Sequence, residues 1–179
     1  RLQKIIPLGA FREINTTCVV PSPRISDRVP FGTGAAQSRL MASGNETVLT
    51  YPPQGYVALK ALFERIPAAY AAPDGIAALR IHELPEAVAS FLEEADFTRA
   101  FGEIRANAAS PAAFVSRFYR WFNAFRIVKY LNHASRRYYD QTEVMVAAAA
   151  FLHIAGITLQ PPDTPAGMLE LFRKLDRET

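Results

Sequence analysis

The sequence predicts a mainly α-helical protein: a bundle of five or six helices, preceded by a short β-strand and a long loop rich in proline and glycine. Two observations lead to this prediction. From residue 55 onward, apolar residues recur with the 3.6-residue period of an amphipathic helix. Before that point, prolines and glycines are too dense for a regular element. The chain has 179 residues, of which 50% are hydrophobic and 21% charged, a composition typical of a globular protein.

Residues 1–54 are predicted to form a strand-plus-loop segment, and residues 55–179 a helical domain. The run NTTCVV is rich in β-branched residues and predicts one short strand that ends near Pro21. Cys18 is the only cysteine, so no disulfide can form within the chain, and we expect it to be a small buried residue of that strand. A single unpaired cysteine suits a reducing compartment, which predicts a cytoplasmic location.

Three helices are predicted ahead of the longest one. The first lies in YVALKALFERIPAAYAA and is expected to end at Pro67. Its apolar face is predicted to hold Val57, Leu59 or Ala61, Leu62 and Ile66. The segments LPEAVASFLEEADF and FTRAFGEIRANAA predict the second and third helices, and the second carries a proline and acidic residues near its start.

The longest predicted helix covers residues 110–139, with Ser110 as its N-cap and Pro111 at its first helical position. A helical projection groups six apolar residues into one stripe, which we expect to form the centre of the core. These residues are Phe114, Phe118, Trp121, Phe122, Phe125 and Val128.

The same helix is strongly basic, carrying Arg117, Arg120, Arg126, Lys129, Arg136 and Arg137. One interpretation is a solvated face paired with acids of other helices, such as Glu93 and Glu94. The alternative is a phosphate-binding surface for a nucleotide, an anionic membrane surface or nucleic acid. The charges are spread around the helix, and the net charge of the whole chain is only +3, so nucleic-acid binding is not favoured.

Two more helices are predicted near the carboxyl terminus. TEVMVAAAAFLHIAG reads as a buried helix that stops at Gly156, with His153 as a core or partly buried histidine. After the QPPD linker, TPAGMLELFRKLDRE predicts the last helix, which begins with Thr-Pro.

Chemistry-bearing residues concentrate before the helices. No metal-binding histidine pattern, nucleophile elbow, P-loop or dinucleotide fingerprint occurs, so catalytic residues and a metal site are not predicted. The loop after the predicted strand does combine two arginines, two hydroxyl residues and two glycines, a set suited to binding phosphate or carboxylate. These candidate ligand-binding residues are Arg24, Ser26, Arg28, Gly32, Thr33 and Gly34. The alternative is a structural turn in which Asp27 pairs with an arginine.

The stretch LGAFREINTTCVVPSPRISDRVPFGTGAA resembles the segment that closes the catalytic domain of bacterial family 2 glycosyltransferases of the GT-A type. In that family a late strand ends in Ser-x-Arg, found here as Ser22 to Arg24, and a glycine-containing loop follows on the acceptor side, found here at 32–34. The resemblance covers residues 6–40. It implies that the chain is the carboxyl-terminal part of a transferase, with the loop shaping the acceptor or phosphate side of the site.

The family's nucleotide-binding first strands and its metal-binding DxD motif do not occur in this sequence. The resemblance therefore implies that the chain would need a missing N-terminal domain or a second chain, and that any divalent metal would belong to the parent enzyme. The absence of an initiator methionine fits that expectation. The alternative is a non-enzymatic helical module for interaction or homo-oligomerisation. A membrane-surface contact through residues 110–139 is a further expectation.

Overall fold

Eight α-helices, two 3-10 helices and one pair of two-residue strands make up residues 47–178, the part of the chain that the computed structural model describes. Residues 49–178 fall within one compact unit. In chain order the elements are β1 (Leu49–Thr50), α1 (Pro53–Phe63), α2 (Ile66–Ala69), the 3-10 helices Gly75–Leu79 and Ile81–Glu83, α3 (Glu86–Glu94), α4 (Phe97–Ala106), α5 (Pro111–Trp121), α6 (Ala124–Arg137), β2 (Thr142–Glu143), α7 (Val144–Ile154) and α8 (Pro165–Glu178).

The predicted fold class is confirmed, because the described chain is mainly helical with a short strand ahead of the helices. The observed strand is β1 at Leu49–Thr50, which lies downstream of the predicted one and pairs antiparallel with β2. The helices outnumber the five or six expected because two predicted helices are each divided in two. The strand and loop predicted before residue 47 lie outside the described residues, as does Cys18.

The core is aromatic and centres on α3, which contacts α1, α4 and α6. Large side chains from six helices, α1 to α6, and from the junction between α5 and α6 are almost fully buried in it. They include Leu62, Val88, Leu92, Phe97, Phe114, Phe118, Phe122 and Tyr130. Edge-to-face ring contacts, which favour defined geometry over fluid packing, join many of these aromatic residues.

The single helix predicted over residues 110–139 is wrong, because the chain breaks between α5 and α6. Asn123 stabilises both ends at the break: its side chain accepts a hydrogen bond from the Arg126 backbone N–H at 3.2 Å and donates one to the Arg120 carbonyl at 3.2 Å. The Arg126 guanidinium also donates to the Trp121 carbonyl and lies 3.8 Å from the centroid of the Trp121 ring.

The break changes which residues of the predicted stripe reach the core. Phe114, Phe118 and Phe122 are buried as predicted. Phe125 and Val128 are 51% and 47% exposed, so their predicted burial is wrong. A new helix begins after Asn123, and its apolar face toward the core is set by other residues, including Tyr130 and Leu131.

Several predicted helix ends are confirmed. The Ser110 side chain accepts a hydrogen bond from the backbone N–H of Ala113 at 3.2 Å, and Pro111 begins α5. Gly156 follows α7 with a φ of +72°, a conformation that glycine adopts without strain. The predicted role of Pro67 is wrong, because α1 already ends at Phe63 and Pro67 lies in the first turn of α2.

The prediction of a buried helix over residues 144–154 is wrong for most of its side chains. Within α7 only Ala147 and Leu152 are buried. His153, predicted to be a core or partly buried residue, is exposed. α7 contacts α1 on one side and α8 on another, and a third side of the helix faces a groove.

Candidate functional site

The six predicted ligand-binding residues, from Arg24 to Gly34, lie outside the described residues. The same holds for the whole stretch that resembles the glycosyltransferase segment. These predictions therefore stay predictions. The described part of the chain contains two other features that bear on function: an apolar groove and a hydrogen-bonded Ser-His-Glu network.

The groove runs between α1 and α7 and has a volume of about 840 Å³. We call it the α1–α7 groove. Prolines and small or β-branched side chains supply most of its lining, and the polar lining residues are Gln54 and the segment 139–142. The lining comprises Pro52, Pro53, Gln54, Val57, Ala58 and Ala61, then Pro85, and then Tyr139, Asp140, Gln141, Thr142, Val146, Ala150 and Ile154.

The strand pair determines where the groove begins. Leu49 lies opposite Glu143 and Thr50 opposite Thr142, so the segments that lead into α1 and α7 are held side by side. Farther along, Tyr56 of α1 meets Phe151 of α7 edge to face, with ring centroids 4.9 Å apart. These two contacts fix the separation of the helices that form the groove walls.

α7 presents one apolar stripe to the groove. Val146, Ala150 and Ile154 are spaced by four residues, which places them along one face of the helix. Val146 is 56% exposed and Ile154 is 46% exposed, and Val57 on the opposite wall is 46% exposed. The groove is therefore open to solvent although its walls are apolar.

The composition of α7 makes this exposure unusual. Ten of the eleven residues in VMVAAAAFLHI are apolar, and His153 is the exception. A helix that is apolar all round normally lies buried. Here α1 and α8 cover two sides, and the side that carries Val146, Ala150 and Ile154 is left uncovered among the described residues.

The groove offers little for catalysis. Asp140 is the one carboxylate among its described lining residues. Tyr139 also lines it, and burial raises the pKa of the Tyr139 hydroxyl further above neutral pH. A lone acid beside neutral amide and hydroxyl groups provides no acid–base pair, so the arrangement is suited to binding an apolar group.

The second feature joins α3 and α6 through Ser90, His133 and Glu94. Ser90 Oγ lies 2.9 Å from His133 Nε2, and His133 Nδ1 lies 3.2 Å from a Glu94 carboxylate oxygen. Tyr138 donates a hydrogen bond to Ser90 Oγ at 2.8 Å, and Arg137 donates to Glu94. With the imidazole proton on Nδ1, every hydrogen bond of this network has one donor and one acceptor.

This network resembles a nucleophilic triad in its order of atoms but lacks the surroundings that such a triad needs. Ser90 lies in the interior of α3, where the backbone N–H groups are bonded within the helix and cannot form an oxyanion hole. Its hydroxyl also accepts a hydrogen bond from Tyr138. We interpret the network as a structural connection between α3 and the end of α6.

Sequence reasoning missed most of this network because its members are far apart in the chain. Ser90 and His133 are separated by 43 residues, and no local period connects them. The sequence did supply one signal: Glu94 was a predicted partner for the basic segment. That pairing is confirmed by its ion pair with Arg137.

The Glu94 carboxyl gives the network a pH dependence. The hydrogen bond from Arg137 and the nearby His133 lower the pKa of Glu94 below its usual 4.5. The folded state therefore favours the carboxylate, and this stabilisation is present above about pH 4.5 and lost as the pH falls through the lower folded value. We expect Glu94→Gln to reduce the unfolding free energy at pH 7, and to have a smaller effect near pH 3, where part of the carboxylate is protonated.

Urea unfolding at the two pH values measures this difference. Glu93→Gln is the matched control, since Glu93 is the exposed neighbour on the same helix. If Glu94→Gln changed the unfolding free energy equally at both pH values, the lowered pKa of Glu94 in the folded state would be contradicted.

The other basic residues of the segment are mostly exposed. Arg117, Arg120, Lys129 and Arg136 are exposed on α5 and α6, whereas Arg126 is half-buried against Trp121. Burial lowers the pKa of Arg126 from its usual value. The expected contact of this segment with a membrane surface stays a prediction.

Within residues 47–178, no group of three His, Cys, Asp or Glu side chains is placed to hold a metal ion. No helix in this range has both the length and the apolar composition required to cross a bilayer. Comparison with known proteins adds no assignment: no protein-family model, curated protein or solved structure matches the chain.

Proposed function

We propose that the helical part of this chain is a protein-interaction module, and that its α1–α7 groove binds an apolar segment of a partner. The observation that supports the proposal is the uncovered face of α7. This helix has one polar residue, yet Val146 and Ile154 are about half exposed. Exposed apolar surface of this kind is typical of interaction sites.

The shape of the groove favours a helical occupant. Residues at i, i+4 and i+8 on α7 face Val57, Ala58 and Ala61 on α1, so the walls are two helices with a trough between them. An amphipathic helix that lies in such a trough buries its apolar face along the whole groove. Ala58, Ala61 and Ala150 have small side chains, which allow the backbone of an occupant to approach closely.

A peptide selection tests the proposal. We expect a library of 16-residue helical peptides to yield binders to the protein when it is kept below about 1 µM. The selected peptides should carry apolar residues at i, i+4 and i+8, and they should lose at least about tenfold in affinity for the double variant Val146→Glu, Ile154→Glu. Isothermal titration calorimetry of synthetic peptides measures the loss.

The control for this experiment is Val128→Glu, which places the same charge on an apolar residue of similar exposure on α6. Circular dichroism establishes that each variant keeps its helices. Peptides that bind the groove variant and the wild type equally, or a selection that yields no binders, would reject the proposal.

The glycosyltransferase activity stays a separate prediction, supported by the resemblance of residues 6–40. If it holds, activity requires the full protein with a sugar nucleotide and a divalent metal. We expect Arg24→Ala and Arg28→Ala each to lower the transfer rate about 10- to 100-fold, through loss of charge-assisted hydrogen bonds.

Arg117→Ala, at an exposed position on α5, is the control and should leave the rate unchanged. Full activity in both loop variants would remove the support for a role of the loop.

A cytoplasmic location belongs to the same set of proposals and rests on the single cysteine.

A further inference from the structure

We infer that the occupant of the α1–α7 groove is a second copy of this chain, and that two copies of α7 pack antiparallel across a two-fold axis near Ala150. This inference rests on the proposed function and names the partner. It follows from three properties of the α7 stripe: its symmetry, its charge and its length.

The stripe is symmetric about its centre. Val146 and Ile154 lie four residues before and after Ala150. In an antiparallel two-fold pair, Val146 of one copy therefore faces Ile154 of the other, and Ala150 faces itself. A β-branched side chain meets a β-branched side chain at each end, while the smallest side chain lies where the two helices come closest.

The charges around the stripe are compatible with self-association. A two-fold axis brings identical groups together, so a charge near the axis would repel its own copy. Val146, Ala150 and Ile154 carry no charge, and neither do Val57 and Ala61 on the opposite wall.

The charged groups near the stripe lie away from its centre. Asp140 and Glu143 precede the amino end of α7, whereas the exposed His153 lies at its carboxyl end. Antiparallel pairing places the acidic end of one copy beside the histidine of the other. Parallel pairing would instead bring the acids of both copies together.

The length of the stripe sets the expected strength of the dimer. An eleven-residue helix is about 16 Å long. A contact of this length lies at the small end of protein interfaces, where complexes are weak and transient. We expect a dissociation constant on the order of 10–100 µM.

Sedimentation equilibrium between about 1 and 500 µM measures self-association directly. The wild type should change from monomer to dimer over this range. Val146→Glu and Ile154→Glu should each weaken the association at least about tenfold, because each places a carboxylate in an apolar contact. Val128→Glu on α6 is the matched control and should leave the dissociation constant unchanged.

Cysteine cross-linking tests the orientation. Since Cys18 is the only cysteine, a Cys18→Ser protein provides a background without thiols. Ala150→Cys in that background should form a disulfide dimer under mild oxidation, because bridged residues must lie within about 7 Å of each other. A mixture of the separate Val146→Cys and Ile154→Cys proteins should form mainly the mixed dimer, and Val128→Cys should remain a monomer.

The outcomes separate the two proposals. A wild type that stays monomeric to 500 µM, a dimer that the glutamate variants do not weaken, or cross-linking at position 128 equal to that at 150 would overturn the second-copy inference. If peptides still bind the groove in that case, the interaction module stands with another partner. If neither peptides nor a second copy occupies the groove, both proposals fail.

Discussion

Replacement of Phe122 by alanine is expected to lower the free energy of unfolding by about 3–5 kcal/mol, the largest effect that we predict for a single residue of this protein. The Phe122 side chain is only 1% exposed. Its ring meets Phe63 of α1 edge to face at 5.2 Å, stacks on Phe118 of α5 at 5.8 Å and lies 6.2 Å from Phe91 of α3. Removing the ring would leave a cavity where three helices meet.

The position of Phe122 makes collapse of that cavity difficult. The residue follows the last turn of α5, and its backbone N–H donates to the Phe118 carbonyl at 2.6 Å. Immediately afterwards, Asn123 holds the start of α6. Because the backbone is fixed on both sides, neighbouring side chains cannot easily move in to fill the space, and the loss should lie toward the upper part of the range.

Phe125→Ala is the matched control for this prediction. It removes the same ring three residues away, from a side chain that is 51% exposed and in contact with the Lys129 ammonium. We expect it to cost less than about 1 kcal/mol. Urea unfolding of both variants measures the difference. A loss under about 1 kcal/mol for Phe122→Ala, or equal losses for the two variants, would contradict the placement of Phe122 in the core.

The contrast between these two phenylalanines shows where sequence-based prediction ends. Local signals identified the start of α5 at Ser110 and the end of α7 before Gly156. An N-cap side chain and a glycine with a positive φ both depend only on residues that are close in sequence. The break at Asn123 has no proline or glycine to mark it. Its local signal is the Asn123 N-cap, and the Arg126 side chain adds a contact with Trp121 that exists only once the chain has turned.

The α1–α7 groove illustrates a different limit of prediction from the sequence. The composition of α7 predicts burial, since a helix with one polar residue normally lies inside a protein. Composition does not show whether the rest of the same chain can cover every face of a helix. Here α1 and α8 contact α7, and Val146 and Ile154 remain exposed. The sequence thus identified the apolar helix, and the structure was needed to find its open side.

Replacement of Tyr130 by phenylalanine is expected to stabilise the protein by about 1–2 kcal/mol, the reverse of the usual effect of a core substitution. The Tyr130 side chain is fully buried, and its ring packs edge to face against Phe91 at 5.5 Å. Its hydroxyl has no hydrogen-bond partner among the residues that the structure describes. The phenylalanine variant keeps the ring contacts and removes a polar group that folding takes out of water without compensation.

The same substitution should alter the stability at high pH. Burial raises the pKa of the Tyr130 hydroxyl well above its usual value of 10.0, with a smaller contribution from Tyr139. The folded state therefore favours the neutral phenol, and the wild type loses stability as the pH rises above about 10, where the unfolded chain ionises. Tyr130→Phe should lose less stability over that range.

Tyr70→Phe provides a control of opposite sign, because the Tyr70 hydroxyl donates to the Ala108 carbonyl at 3.1 Å. Losing that bond should cost about 0.5–1.5 kcal/mol. Urea unfolding of both variants at pH 7 decides between two states of the Tyr130 hydroxyl. A gain in Tyr130→Phe means that the hydroxyl is unpaired in solution. A loss comparable to that of Tyr70→Phe would contradict the prediction, because it would mean that the Tyr130 hydroxyl forms a hydrogen bond in the folded protein.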